Sequence, residues 1–306
     1  MAIKMKTHAL KSNIFLLLAA AIWGLAFVAQ RVGAEYLGAF TYNGIRFALG
    51  SLSLIPLILL NKKRNSGKDD AFIPSKSFIP AGIIAGSILF FGASLQQIGM
   101  ADTTSGKAAF ITGLYIVLVP IFGIFLKQYI HINVWFGVAI AAIGLYLLCV
   151  TGDFTISRGD LFQLVGAFFW ASHILVIDYF VKKVDILKLS LFQFTTCSIL
   201  SLIVAVTYES ITMYSIKQAA IPLLYGGIFS VGIAYTLQVL GQKHAQPSHA
   251  AIILSMETVF ASLGGFIILN ENLGLRAYIG GALMLAGMLI SQLQNFRHKK
   301  PKGISQ

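Results

Sequence analysis

One carboxylate stands alone in a long apolar run. The stretch from Pro247 to Leu269 reads PSHAAIILSMETVFASLGGFIIL, and its acid is Glu257. As a helix rising ~1.5 Å per residue, the run places Glu257 about 13 Å from its start. If the run crosses a bilayer, that is close to the midplane, where a charge costs at least ~2.5–3.5 kcal/mol. An acid kept at such depth has three uses. It contacts a cationic group, it takes up a proton, or it ties helices together by hydrogen bonds. Three-four spacing puts His249, Ile253, Glu257, Phe260 or Ala261, and Gly264 on one face. Polar and small groups together suit a cavity wall better than a lipid contact.

Other residues of the same kind lie inside apolar runs. Trp23 and Trp170 fall near the middle of theirs, although tryptophan gathers at membrane interfaces. They are read as cavity walls for an apolar or aromatic ligand, with bulk packing as the equal alternative. His173 follows Trp170 by three residues, as an intramembrane proton carrier or a packed histidine. Gln96 and Gln238 lie near opposite ends of their runs, as gates or as inter-helix hydrogen bonds. Arg46 lies about 12 Å into its run and is read as tying helices or as interfacial, with substrate contact as the lesser alternative. Asp178 precedes Lys182 by four residues, the spacing of a helix-end ion pair. Cys149 and Cys197 supply neither a disulfide framework nor a zinc set. No nucleotide-binding glycine loop, G-x-S-x-G elbow or H-E-x-x-H is present. The reading therefore names no catalytic residue, no metal and no cofactor.

The elements that position these residues follow from composition. The 306 residues are 57% apolar and only 11% charged, where a soluble domain carries about 25% charged residues. So few charges cannot clothe a soluble surface, and the chain reads as an all-α integral membrane protein. The net charge of +12 does not indicate nucleic acid, because the basic residues lie between apolar runs rather than on one face. Ten runs have spanning or near-spanning length: 13–31, 38–60, 78–98, 104–126, 133–150, 160–181, 188–207, 219–241, 248–269 and 276–294. The first continues past Ala19-Ala20-Ala21 through Trp23 to Ala29 and is read as an uncleaved helix. With the N-terminus inside, 17 of the 23 Lys and Arg fall in inner segments. Five fall outside (Arg31, Lys107, Arg158, Lys217, Arg276), and Arg46 stays within its run. This asymmetry predicts ten transmembrane helices in a cell (inner) membrane, multi-pass, with both termini cytoplasmic.

The chain also repeats itself. A shift of 147 residues brings Trp23 onto Trp170. A shift of 142 brings Ile79-Pro80 onto Ile221-Pro222, Leu95-Gln96 onto Leu237-Gln238, and AAFI at 108–111 onto AAII at 250–253. One residue later in phase, Gly137 and Gly144 meet Gly280 and Gly287. The halves are 13–150 and 160–294. Five helices each make them inverted-topology repeats, a design in which sites lie near the midplane and one half rocks against the other. The same shift makes Tyr115 the counterpart of Glu257, and Lys107 that of His249 near the opposite face. A phenol at the midplane needs a partner, and Glu257 across the pseudo-axis is the expected one. Lys107 and His249 are read at cavity mouths, with snorkelling as the alternative for Lys107.

These residues resemble the drug/metabolite transporter superfamily, in its EamA type with two EamA repeats. The carriers are AAAIWGLAFVAQR, Arg46-Phe47, GKAAFITGLYIVLVP, and PSHAAIILSMETVFASLGGFIILNE with its acids Glu257 and Glu271. The chain departs from the family at Thr258, which stands where the family has proline, so the expected cause of a kink is missing. The resemblance implies a central cavity formed mainly by the first, third, fourth, sixth, eighth and ninth helices. It also implies a secondary transporter, not an enzyme, moving a small-molecule substrate by alternating access. The substrate is read as amino-acid-like or amphipathic, with export common in the family and protons as a second partner through Glu257. A passive facilitator, a multidrug exporter of the same fold and a non-transporting scaffold stay open.

Overall fold

A computed structural model describes residues 2–65, 78–103, 105–149, 157–268 and 274–292. It is all-helical there. The first half holds α1 (Ala2–Ala34), α2 (Ala39–Asn65), α3 (Phe78–Gly99), α4 (Ser105–Gly113), α5 (Tyr115–Phe125) and α6 (Ile132–Cys149). The second holds α7 (Arg158–Val181), α8 (Ile186–Tyr208), α9 (Met213–Gln218), α10 (Ala220–Leu224), a π-helical segment (Tyr225–Tyr235), α11 (Thr236–Gln242), α12 (Pro247–Leu254), α13 (Glu257–Ile268) and α14 (Leu275–Gln292).

Among the described residues, eight stretches are long and apolar enough to cross a membrane, and Ile132–Leu147 and Leu275–Ser291 are shorter apolar helices. The burial pattern is that of a protein dissolved in lipid. Gln163, Gln193 and Gln242 are fully buried, while Phe125, Val206 and Ile267 lie at least seven-tenths exposed. In water the large apolar side chains would be inside. In a bilayer the polar groups go inward to find partners.

The sequence halves interleave. In one group α7, from the second half, lies along α3, α4 and α5 of the first. In the other, α1 lies along the π-helical segment, α11, α12 and α13. Two pairs flank these groups: α2 with α8, and α6 with α14, the most extensively packed pair of all. Glycine makes the last crossing possible. A Cβ at Gly144 would fall 2.5 Å from the carbonyl oxygen of Gly280, and one at Gly137 would fall 2.7 Å from that of Gly287. These are the four glycines that the repeat matches, and they meet crosswise.

Two spans are broken in the same way. The helix over 105–125 is interrupted at Leu114, and that over 247–268 at Ser255 and Met256. At each break the backbone tightens to bonds between residues three apart. Leu114 N–H donates to Ile111 O and Val117 N–H to Leu114 O, at 3.2 and 3.0 Å. Met256 N–H donates to Ile253 O and Val259 N–H to Met256 O, at 3.1 and 3.0 Å. Each pair of bonds maps onto the other by a shift of 142. Pro120 sits inside α5 rather than at the break. In the second span hydroxyls do what the absent proline would do: Ser255 Oγ donates to Ile252 O at 2.8 Å and Thr258 Oγ1 to Ser255 O at 2.7 Å.

Candidate functional site

The two broken spans begin their second pieces with Tyr115 and Glu257. Tyr115 Oη donates a hydrogen bond of 3.0 Å to Glu257 Oε1. Both side chains are buried, at 4% and 5% exposure. The bond crosses from one helix group to the other and borders a cavity between them. One wall carries Gln96, Thr112, Tyr115, Trp170 and Ile174. The facing wall carries Trp23, Phe27 and Gln30 of α1, with Ser230, Tyr235 and Gln238 from the span around the π-helical segment. Leu254 and Glu257 close that wall, and Arg46 of α2 reaches in beside it. Gly24 lets the walls form: a Cβ there would lie 2.7 Å from the carbonyl oxygen of Glu257, so only a bare backbone brings α1 this close to the acid.

Aromatic rings order the centre. Tyr235 takes the edge of Trp23 at 4.6 Å and stacks with Trp170 at 6.3 Å. Trp23 Nε1 donates to the carbonyl of Ser230 at 3.1 Å, whereas Trp170 Nε1 is buried without a partner among the described residues. Towards the C-terminal ends of α1 and α3, three side chains tie the groups. Gln96 Nε2 donates to Gln30 Oε1 at 3.0 Å, Gln97 Nε2 to Gln30 O at 3.1 Å, and Arg31 Nη1 to Met100 O at 2.6 Å. On the opposite side Gln242 Nε2 donates to Ile174 O at 2.8 Å. The enclosed space is narrow, about 40 Å³, enough for about three waters by size. Sites for larger ligands run to ~300–1,000 Å³, so a metabolite fits only when the walls part.

Of the residues expected from the sequence, Glu257, Tyr115, Trp23, Trp170, Gln96 and Gln238 come together here. Gln96 and Gln238 differ in state, the first bonded and the second with a buried, unpartnered Oε1. His173 stands behind the wall, with Nε2 2.9 Å from Gln193 Oε1. His249 is buried near the backbone of Ser291 and does not line the cavity. The face drawn through His249, Ile253 and Glu257 assumed an unbroken helix. The break replaces four-residue with three-residue spacing, so Leu254 lines the cavity instead. Lys107 lies in α4, but its side chain is outside the described residues, as is Glu271. Asp178 pairs with Lys182 at 2.9 Å as expected.

Arg46, for which the sequence favours a tying or interfacial role over substrate contact, lines the cavity. It is 2% exposed. Its Nε donates to Asn43 Oδ1 at 2.9 Å, and its guanidinium lies over the rings of Phe47 and Tyr42 at 5.0 and 5.4 Å. A guanidinium has five N–H donors; among the described residues only that one is hydrogen-bonded, and no carboxylate pairs with it. Most lining residues that sequence reasoning missed lie one or two helical turns from a residue it found. Phe27 and Gln30 follow Trp23, Ile174 follows Trp170, and Thr112, Tyr235 and Leu254 precede Tyr115, Gln238 and Glu257. That spacing was the available signal.

A broken-span pair, a buried acid and a wall of aromatics inside a lipid-facing helical shell define a membrane transporter. The chain belongs to the EamA-like transporter family, whose pattern it matches twice, over residues 10–150 and 157–292. It is similar to an "Uncharacterized transporter" of Archaeoglobus fulgidus, 30% identical over 287 residues, covering 93% of this chain and 87% of that protein. It is also similar to the "Uncharacterized transporter YoaV" of Bacillus subtilis, 22% identical, covering 91% and 95%. A solved crystal structure shares the fold, with a TM-score of 0.77 over 94% of this chain and 99% of its own at 15% identity.

Proposed function

We propose that the protein is a secondary transporter of the inner membrane that moves a small amphipathic or amino-acid-like metabolite by alternating access. In this reading ten helices span the bilayer, both termini are cytoplasmic, and residues 13–150 and 160–294 are inverted repeats. The two groups that rock are not the sequence halves. They are α7 with α3, α4 and α5 on one side, and α1 with α10 to α13 and the π-helical segment on the other. Inverted-repeat carriers bind substrate near the midplane, on interrupted helices at equivalent positions. The observation that carries the reading is the 3.0 Å bond from Tyr115 to Glu257, made between two such interruptions at the edge of the cavity.

Glu257 is the coupling group in this scheme. As a carboxylate it holds a cationic group of the substrate. As a carboxylic acid it releases that group and carries a proton instead. The test is uptake of radiolabelled amino acids and amphipathic amines into proteoliposomes holding purified protein, with pH gradients imposed in both directions. Wild type should exceed protein-free liposomes for at least one compound, with a rate that follows the gradient. Glu257→Gln should lower that rate at least ~tenfold, the loss of one charge-assisted contact, and abolish its response to pH. Unchanged rates and unchanged pH dependence would sink the proton role.

A further inference from the structure

We infer that Arg46 is a carboxylate-binding residue, and that with Glu257 it makes the cavity select zwitterions over ligands carrying only one of the two charges. This rests on the transport reading and goes beyond it, because it assigns the second charge. Arg46 is buried at the cavity with a single hydrogen bond, from Nε to Asn43. The other face of the guanidinium fork has no acceptor among the described residues. The rings of Phe47 and Tyr42 cover its plane and leave its N–H edge unused, and that edge is what matches a carboxylate in two parallel bonds. Trp170 Nε1 adds another unpartnered buried donor in the same cavity. The acceptors lie with Glu257. One of its oxygens takes the Tyr115 hydroxyl, and the unpartnered Gln238 Oε1 lines the same space.

The two charges do not cancel each other. Among the described residues neither Arg46 nor Glu257 has an ion-pair partner, yet both line one cavity together with Tyr235. Donors without acceptors and acceptors without donors in one cavity suit a small ligand with a carboxylate, an ammonium and an apolar side chain between aromatic walls.

The probes are leucine and its two halves: 3-methylbutylamine, which lacks the carboxylate, and 4-methylpentanoate, which lacks the ammonium. Binding to purified full-length protein is read by ligand-dependent thermal stabilisation. Wild type should bind leucine at least ~tenfold more tightly than either half, about 1.4 kcal/mol. Arg46→Gln should lower leucine to the level of the amine and leave the amine unchanged. Glu257→Gln should lower leucine to the level of the acid. Arg46→Lys keeps the charge without the fork and should fall between wild type and Gln. Equal binding of leucine and the amine by wild type overturns the inference without any variant. So does equal weakening of all three ligands by a folded Arg46→Gln. So does the absence of binding by all three, and if other compounds still move in proteoliposomes the transport reading stands.

Discussion

Tyr115 gives Glu257 its only described hydrogen bond, so its hydroxyl can be tested alone. Tyr115→Phe keeps the ring and leaves a buried carboxylate oxygen unmatched, at a cost of about 1–3 kcal/mol. The expected outcome is a lower melting temperature together with altered transport. A fall in stability with unchanged transport would mark the pair as a packing contact. A second residue carries strain unconnected with the cavity. Among the described residues Lys127 is the non-glycine residue with positive φ, at 57°. It follows α5, where Gln128 N–H donates to Gly123 O at 2.8 Å and Lys127 N–H to Ile124 O at 2.9 Å. This double closure favours glycine at the left-handed position. A side chain there costs roughly 1–2 kcal/mol, so Lys127→Gly should raise stability by about 1 kcal/mol in thermal or denaturant unfolding.

At the scale of elements, the glycine crossing of α6 and α14 predicts a contrast. Gly144→Ala forces an atom to 2.5 Å from the carbonyl of Gly280 and should destabilise by about 1–3 kcal/mol, the usual cost of overpacking. Gly166→Ala meets nothing closer than 3.6 Å and should be neutral or mildly stabilising, since alanine is the better helix former. Melting of the two purified variants compares them directly. The spans and the pairing of Tyr115 with Glu257 were legible because apolar run length and a repeat offset survive in one dimension. The partners of α1 and α7 were not, because interleaving leaves no mark on hydropathy. The break at Ser255 was hidden as well: serine and threonine hydroxyls close it, and their presence in an apolar run has many other readings. That hidden break is why His249 is absent from the cavity lining although four-residue spacing puts it on the face of Glu257. The surroundings of Arg46 were not legible either: a buried guanidinium usually finds a carboxylate, and only three dimensions reveal that among the described residues this one does not.

At the scale of the molecule, Gln30 joins the two helix groups where α1 and α3 end. It receives two bonds, from Gln96 and Gln97. Gln30→Ala removes the side-chain bond from Gln96, worth about 1 kcal/mol, which corresponds to roughly fivefold in population. A cysteine placed at Ser230 should then react roughly fivefold faster with a membrane-impermeant thiol reagent added on the side where α1 and α3 end; an unchanged rate would show that these bonds do not hold the cavity shut. Interleaving also reaches back to synthesis. When α6 leaves the ribosome its glycine-lined surface has nothing to meet until α14 follows, over 140 residues later. At ~5–20 residues per second that interval is about 7–30 s. The membrane therefore holds a half-made chain whose first helix also lacks its partners. Insertion factors or quality-control proteases have that window in which to meet it, and the arrival of α14 is what ends it.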